Sequence, residues 1–266
     1  MMIHRKTASS PARAQRERSL LRLIQGDGVV PMHDDACEGS LIVETARGNG
    51  SLADVLAERR RLVEEECRAV GARVATIAAS LHARQVAHGD IKPANVIISP
   101  TGDLWLADFD AAAPLGADRD RGTPSRLRSG APVDSAADVI AIAIMVVECA
   151  TGAVVDPQVA WSSADLRLLG CPAELASDVA TIFAGESDAL RVAGILQRRN
   201  DRLPDAAATL RGVDPTPTLD FETTAIDGLS PAGHVEAESA ANGPERLGWR
   251  RWARQEPERT RTDRAN

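Results

Sequence analysis

Residues 86–110 read VAHGDIKPANVIISPTGDLWLADFD, and the order of the polar residues in this stretch decides the reading of the whole chain. Asp90 falls in a polar loop after a short apolar segment, Lys92 follows two residues later, and Asn95 three beyond that. The apolar runs 96–98 and 104–107 flank Pro100-Thr101-Gly102-Asp103, which has the composition of a hairpin turn. The hairpin returns a second carboxylate, Asp108, to the end where Asp90 lies. A carboxylate, an ammonium, a carboxamide and another carboxylate are thereby gathered in one place. Phosphoryl transfer uses such a set: a base to orient a hydroxyl, a cation for the moving phosphoryl charge, and hard oxygen ligands for Mg²⁺. Two carboxylates and an amide alone are ordinary loop composition. The ordered series followed by a hairpin and Asp108-Phe109 is far more specific.

Outward from this stretch, the chain has 266 residues, 44% hydrophobic and 26% charged, enough for one large domain or two small ones with a real core. Its 38 acidic and 31 basic side chains leave a net charge of −7, which argues against a general nucleic-acid binder. Four cysteines without a CxxC pair support neither a disulfide framework nor a zinc ribbon. The longest apolar run, 139–147, is too short to span a bilayer, and the N-terminus lacks a signal-peptide core. The expectation is a cytoplasmic protein with no transmembrane segment. Among the basic residues only Lys6 and Lys92 are lysine. In so arginine-rich a chain, a retained lysine points to a need for a compact, flexible ammonium, with chance as the plain alternative.

Periodicity supplies the elements. A helix is predicted over 11–24, with Leu20, Leu21 and Ile24 as its apolar stripe, ended by Gly26 and Gly28. Val29-Val30 and 41–43 read as short strands around a polar turn at 33–39. Ser51 reads as the N-cap of LADVLAERR. In 63–84, Cys67, Val70, Val74, Ile77 and Leu81 step by 3, 4, 3 and 4, the mark of one buried helical face. The stretch 136–150 is apolar on nearly all sides, as befits a helix through the centre of a helical lobe. Further helices are predicted at 173–185 and 205–211. Beyond 212 the chain turns rich in Pro, Thr, Glu and Ala, so 213–266 reads as a disordered tail with a basic, Trp-containing end, WRRWARQEPERTRTDR.

At the residues quoted first, the sequence resembles the eukaryotic-type serine/threonine protein kinase family. His88-Gly89-Asp90-Ile91-Lys92-Pro93-Ala94-Asn95 is similar to its catalytic loop, and Asp108-Phe109-Asp110 to its DFG segment. The resemblance implies that Asp90 accepts the substrate hydroxyl proton, that Lys92 neutralises the γ-phosphate, and that Asn95 and Asp108 hold Mg²⁺. It implies ATP as phosphoryl donor and a protein with a Ser or Thr acceptor as partner. Residues 41–44 resemble the hinge strand, with Val43 as gatekeeper and Glu44 and Ala46 offering backbone groups to adenine; Ile97 joins them among the nucleotide-binding positions. Glu17 resembles the αC glutamate that pairs with the ATP lysine, for which Lys6 is the candidate. Asp138 resembles the central-helix aspartate that bonds the catalytic-loop backbone, Gly122-Thr123-Pro124 the end of the activation segment, and Arg202 a late C-lobe arginine. The resemblance covers roughly 12–212. It implies an α+β, protein-kinase-like fold over 1–212, with a truncated N-lobe (few strands and one helix, about 1–45) and a mainly helical C-lobe (about 50–212).

The departures set the alternatives. Sixteen residues precede Glu17, too few for a glycine-rich loop, so either the start lies upstream or the N-lobe is reduced. Gly89 stands where the family has an arginine that pairs with an activation-loop phosphate, Asp110 where it has the DFG glycine, and the APE segment is absent between Thr123 and Asp138. Asp110 is expected to lack glycine's freedom at positive φ and to add a carboxylate near the metal site. Three readings follow: a protein kinase, a pseudokinase or kinase-like binding module, and a small-molecule phosphotransferase of the aminoglycoside or choline kinase type. His33 and Cys37 read either as half a metal site or as a turn histidine and a buried thiol, and Trp105 as core. Thr216, Thr218, Thr223 and Thr224 in the acidic tail are candidate phosphoacceptors.

Overall fold

The computed structural model describes residues 3–33, 42–117, 123, 132–185 and 188–197. Chain order runs β1 (Ile3–Thr7), α1 (Pro11–Ile24), β2 (Met32–His33), β3 (Ile42–Ala46), α2 (Leu52–Arg59) and α3 (Glu64–Ala83). The hairpin region follows as β4 (Val86–Ala87), β5 (Val96–Ile98), β6 (Leu104–Leu106) and β7 (Ala113–Pro114). Then come α4 (Ser135–Thr151), α5 (Ser163–Leu168), α6 (Ala173–Phe183) and α7 (Ala189–Gln197). Single 3₁₀ turns lie at Pro93–Asn95 and Phe109–Ala111. This is the expected α+β architecture: a small sheet carrying one helix, followed by a largely helical body.

Helix starts obey their caps. Ser10 accepts from the Arg13 N–H with Pro11 at the first helical position, which opens α1. Ser51 and Asp54 form a reciprocal capping box at the head of α2, and Asp134 accepts from Ala137 N–H at the head of α4. The five apolar positions stepping along α3 are all buried, as their spacing requires. Every side chain from Val139 to Val147 is buried, because α4 is packed on all sides. Gly71 lets α3 approach its neighbours: an added Cβ would lie 2.6 Å from Val146 of α4 and 2.8 Å from Leu196 of α7. The described cysteines, Cys67, Cys149 and Cys171, are free and buried, and burial pushes the Cys67 thiol up to about 12. No described helix is long and apolar enough to cross a membrane.

The small sheet has the order β1-β3-β2, antiparallel throughout, with Lys6 opposite Val43 and His33 opposite Glu44. Here one expectation is corrected. Among the described residues, Val29 and Val30 pair with the hairpin rather than with β3. Val29 makes a parallel bridge to Leu106, Val30 N–H donates to the Leu106 carbonyl at 2.9 Å, and Leu106 N–H donates to Gly28 at 2.7 Å. The cause is Gly28 (φ +80), where a side chain would collide with Ile77; the chain therefore reverses against α3 and lies along the hairpin before reaching β2. Helices α5 and α7 lacked a sequence expectation: α5 is one turn and a half, and α7 is short and apolar on one side only, with Val192, Ile195 and Leu196 buried. Of the turn predicted at 33–39, His33 belongs to β2 instead, while 34–39, the predicted helix at 205–211 and the tail at 213–266 lie outside the described residues.

Two glycines in helices test this packing in opposite directions. Gly194 of α7 has nothing within 4 Å of an added Cβ, so Gly194→Ala should stabilise by about 0.5–1 kcal/mol through backbone entropy. Gly71→Ala should destabilise, since overpacking of about 1–3 kcal/mol exceeds the same propensity gain. Urea unfolding of the two variants checks both signs.

Candidate active site

Asp138, in the first turn of α4, is 1% exposed and fully bonded. Its Oδ2 accepts from His88 N–H at 2.8 Å and its Oδ1 from Gly89 N–H at 2.8 Å, while His82 Nε2 donates to Oδ2 at 2.9 Å. The helix N-terminus favours the carboxylate, and the bonds dictate where the loop after β4 must run. His88 carries the constraint onward. Its Nε2 lies 3.0 Å from the Ala107 carbonyl, which can only accept, so Nε2 holds the proton and Nδ1 accepts from Asp90 N–H at 3.3 Å. The imidazole also packs against Phe109, ring centroids 4.7 Å apart. Ala107 N–H donates to Asn95 at 2.9 Å, so loop and hairpin are tied at two points.

Gly89 has φ +78, and a Cβ there would lie 2.6 Å from the Ala111 carbonyl. In this chain an arginine is excluded at that position by backbone contact with the 3₁₀ turn after Asp108. Of the two consequences expected of Asp110, the one at positive φ does not arise. The left-handed backbone falls at Asp108 (φ 63, ψ 70), and Asp110 is not among the described residues at positive φ. Aspartate tolerates αL better than most residues, and Asp110 sits in an ordinary 3₁₀ turn.

The loop presents a first cluster. Lys92 Nζ donates to Asp90 Oδ2 at 2.7 Å and to Thr123 Oγ1 at 3.0 Å, and Thr123 N–H donates to Asp90 Oδ1 at 2.9 Å. Asn95 Nδ2 donates to the Asp90 backbone carbonyl at 2.9 Å and to Oδ2 at 3.3 Å. Burial works to raise the Asp90 pKa, but the bonds from Lys92 and Thr123 and the charge of Lys92 outweigh it and hold the carboxyl below its ordinary 3.8.

A second cluster joins the sheet to the hairpin. Lys6 Nζ donates to both Glu17 oxygens, at 3.2 and 3.1 Å, and to Asp108 Oδ1. Burial would lower the Lys6 pKa; its bond to Asp108 and the charges of Glu17 and Asp108 carry it above 10.5 instead. Burial raises Glu17, and the Lys6 charge offsets this only in part.

Between the clusters lies a cleft of about 320 Å³. Of the sequence-predicted residues, Lys6, Glu17, Ala46, Asn95, Ile97 and Asp108 line it. Asp90 and Lys92 stand beside it, joined through Asn95. Glu44 lies in the central strand, its backbone opposite Arg5 and His33. The expectation for Ala46 is corrected: its N–H donates to the Pro31 carbonyl at 2.7 Å, because β3 stays in the sheet through this residue, so that amide is not available to a base. Beyond Ala46 the wall continues along the linker after β3, through Arg47, Gly48 and Gly50. Gly48 was missed; a side chain there would collide with Ile97 and the Ile98 carbonyl, and its signal was the Gly-Asn-Gly run before Ser51. His33 is half-buried with Nε2 unbonded, and among the described residues no group of three His, Cys, Asp or Glu could hold a metal. Trp105 packs on the core from the hairpin. Cys37, Gly122, Pro124, Arg202 and the tail threonines lie outside the described residues.

The donor set suits Mg²⁺ and a triphosphate. Asn95 spends its amide nitrogen on Asp90, which leaves Oδ1 for a cation, and Asp108 keeps a second carboxylate oxygen beyond the one that takes Lys6. Mg²⁺ is commonly held by one or two such oxygens with the rest from phosphates and water. Val30, Ile97 and Ala107 supply apolar surface for a base.

A family model described as protein kinase domain matches residues 1–164. Among curated proteins, CBL-interacting protein kinase 4 of Oryza sativa subsp. japonica is 34% identical over 140 residues, 50% of this chain and 30% of that protein. Serine/threonine-protein kinase 36 of Pongo abelii is 26% identical over 148 residues, 52% of this chain and 11% of that protein. Serine/threonine-protein kinase PknD of Mycobacterium tuberculosis is 31% identical over 156 residues, 53% of this chain and 23% of that protein. The chain thus spans less than a third of the length of each of these relatives.

Two measurements follow from the Asp138–Asp90 arrangement. Asp138→Ala leaves two buried N–H groups without an acceptor, and urea unfolding should show a loss of about 2–5 kcal/mol. Asp90, with its native pKa lowered, contributes stability that is present above about pH 4, the unfolded value, and is lost as pH falls through the native one. The stability of Asp90→Asn should therefore fall less steeply than that of the wild type on acidification below pH 4.

Proposed function

The chain belongs to the protein kinase domain family, and from that premise we propose that it transfers a phosphoryl group from ATP, with Mg²⁺, to a Ser or Thr hydroxyl of a protein substrate. Protein kinase function in general terms follows from the family; the acceptor, the cofactors and the residue roles are the proposal. One observation carries it: the Lys6–Glu17–Asp108 and Asp90–Lys92–Asn95 clusters meet, through Asn95, at one cleft. Such transfers depend on positioning and electrostatic stabilisation more than on covalent chemistry, and these clusters are built for that.

In this reading Asp90 is ionised at neutral pH and orients the incoming hydroxyl, taking its proton late because its basicity is low. Lys92, already held by Asp90 and Thr123, neutralises charge developing on the moving phosphoryl group. Lys6 is a phosphate cation, kept in place by Glu17. Asn95 and Asp108 are the Mg²⁺ ligands, and bound Mg²⁺ supplies charge neutralisation at the phosphates. Val30, Ile97 and Ala107 with the 47–50 linker receive the base. The kinase-like domain is taken as 1–212.

The test is Mg²⁺-dependent ³²P transfer from ATP to a generic acceptor protein. Wild type should label the acceptor, and Asp90→Asn should lower kcat by about 10²–10⁴-fold. Equal labelling by both proteins would falsify the assignment. A rise in melting temperature with ATP and Mg²⁺ but no transfer would move the chain to a nucleotide-binding module.

A further inference from the structure

Helix α1 carries the buried Glu17, so the position of α1 decides whether Lys6, Glu17 and Asp108 meet. Contacts outside the cleft hold it. Asp110, on the 3₁₀ turn after Asp108, lies 3.7 Å from Arg13 Nη1. One turn along α1, Arg16 Nη2 donates to the Ala112 carbonyl at 3.3 Å. At the other end, Arg84, just past α3, donates to the carbonyls of Ile24 at 2.6 Å and Gln25 at 3.2 Å, satisfying the helix C-terminus with a cation. Charge balance gives Arg13 a further part. Glu17 and Asp108 are two carboxylates on one lysine, and the charges of Asp108 and of Asp110 both act on Glu17 to disfavour its ionisation. Arg13 brings a second cation to this cluster from the helix that must stay docked.

We propose that the Arg13–Asp110 pair is a built-in latch: it pins α1 to the segment 109–112 and so keeps the Lys6–Glu17–Asp108 cluster assembled in the unmodified chain. Arg13 and Asp110 are positioning residues, and Asp110 does this because it is not the glycine expected after Asp108-Phe109. Arg16 and Arg84 hold the same helix through backbone carbonyls, so the pair acts on an element already located at two other points.

Hydrogen exchange on the full chain, mass-verified as unphosphorylated and free of nucleotide, tests the latch. Amides of α1 should be protected in the wild type. In Asp110→Asn, which keeps the backbone geometry, and in Arg13→Gln they should exchange roughly three- to tenfold faster, the scale of a partly exposed ion pair, with α3 and α4 unchanged. The double variant should be no worse than either single one, and the charge-reversed pair Arg13→Asp/Asp110→Arg should recover most of the protection. Unchanged α1 exchange in Asp110→Asn, strictly additive single variants, or an unprotected α1 in the unphosphorylated wild type each overturns the proposal. This arm contains no nucleotide, so its failure leaves the reading of the cleft intact. If the reading holds, the same variants should raise KM for ATP more than they lower kcat, with partial return in the charge-reversed pair.

Discussion

A single buried carboxylate sets the reference frame of this site. Asp138 sits at the head of a helix packed on every side, where an unpaired charge would be costly. Two backbone N–H groups of the loop after β4 and the His82 imidazole meet that demand together. The loop is therefore referenced to the most rigid part of the molecule rather than to its own flexible neighbours. His88 relays the constraint to Ala107, and through the hairpin end to Asp108. Asp90, which has to be held in a defined place to do any chemistry, inherits its position from the packing of α4.

Charge economy is the second theme. The two lysines of the chain are Lys6 and Lys92, and each bridges two partners at once. A compact ammonium with three rotatable donors can do this in a narrow space, whereas a planar guanidinium fork imposes its own geometry on its partners. Arginine is used where reach and shape matter instead. Arg73 holds Asp27 and Asp103 together, tying the end of α1 and the hairpin turn to α3, and Arg84 caps α1. The surface arginines thus brace the elements that carry the site, and the lysines work inside it.

Local patterns were legible where one residue type answers one local demand. The 3, 4, 3, 4 spacing of α3 translates directly into a buried face, Ser51 into a cap, and Pro-Thr-Gly-Asp into a hairpin turn, because each depends on neighbours within a few residues. The readings failed where the decision is made at a distance. Val29-Val30 have strand character, but their partner is chosen by Gly28 packing on Ile77. The family resemblance implies that Ala46 offers backbone groups to a base, yet β3 runs long enough for Pro31 to take its N–H. Gly48 and Gly89 look like ordinary loop glycines until the backbones facing them are in place.

The sequence alone determined the set and order of the chemical groups: the aspartate, lysine and asparagine of one loop, the hairpin that returns Asp108, and the helices that form the body. All of these are short-range properties, written in spacing and residue type. The family resemblance pointed to Lys6 and Glu17 as a pair, but it took the packed structure to show that Lys6 reaches Glu17, eleven residues away, and Asp108, 102 residues away, at once. The packed structure also decided that Arg13 faces Asp110 and that Arg47, Gly48 and Gly50 of the linker join Ala46 in the wall of the cleft. Contacts between residues so far apart depend on how whole elements pack, and packing is settled by the shapes of surfaces that no local pattern encodes.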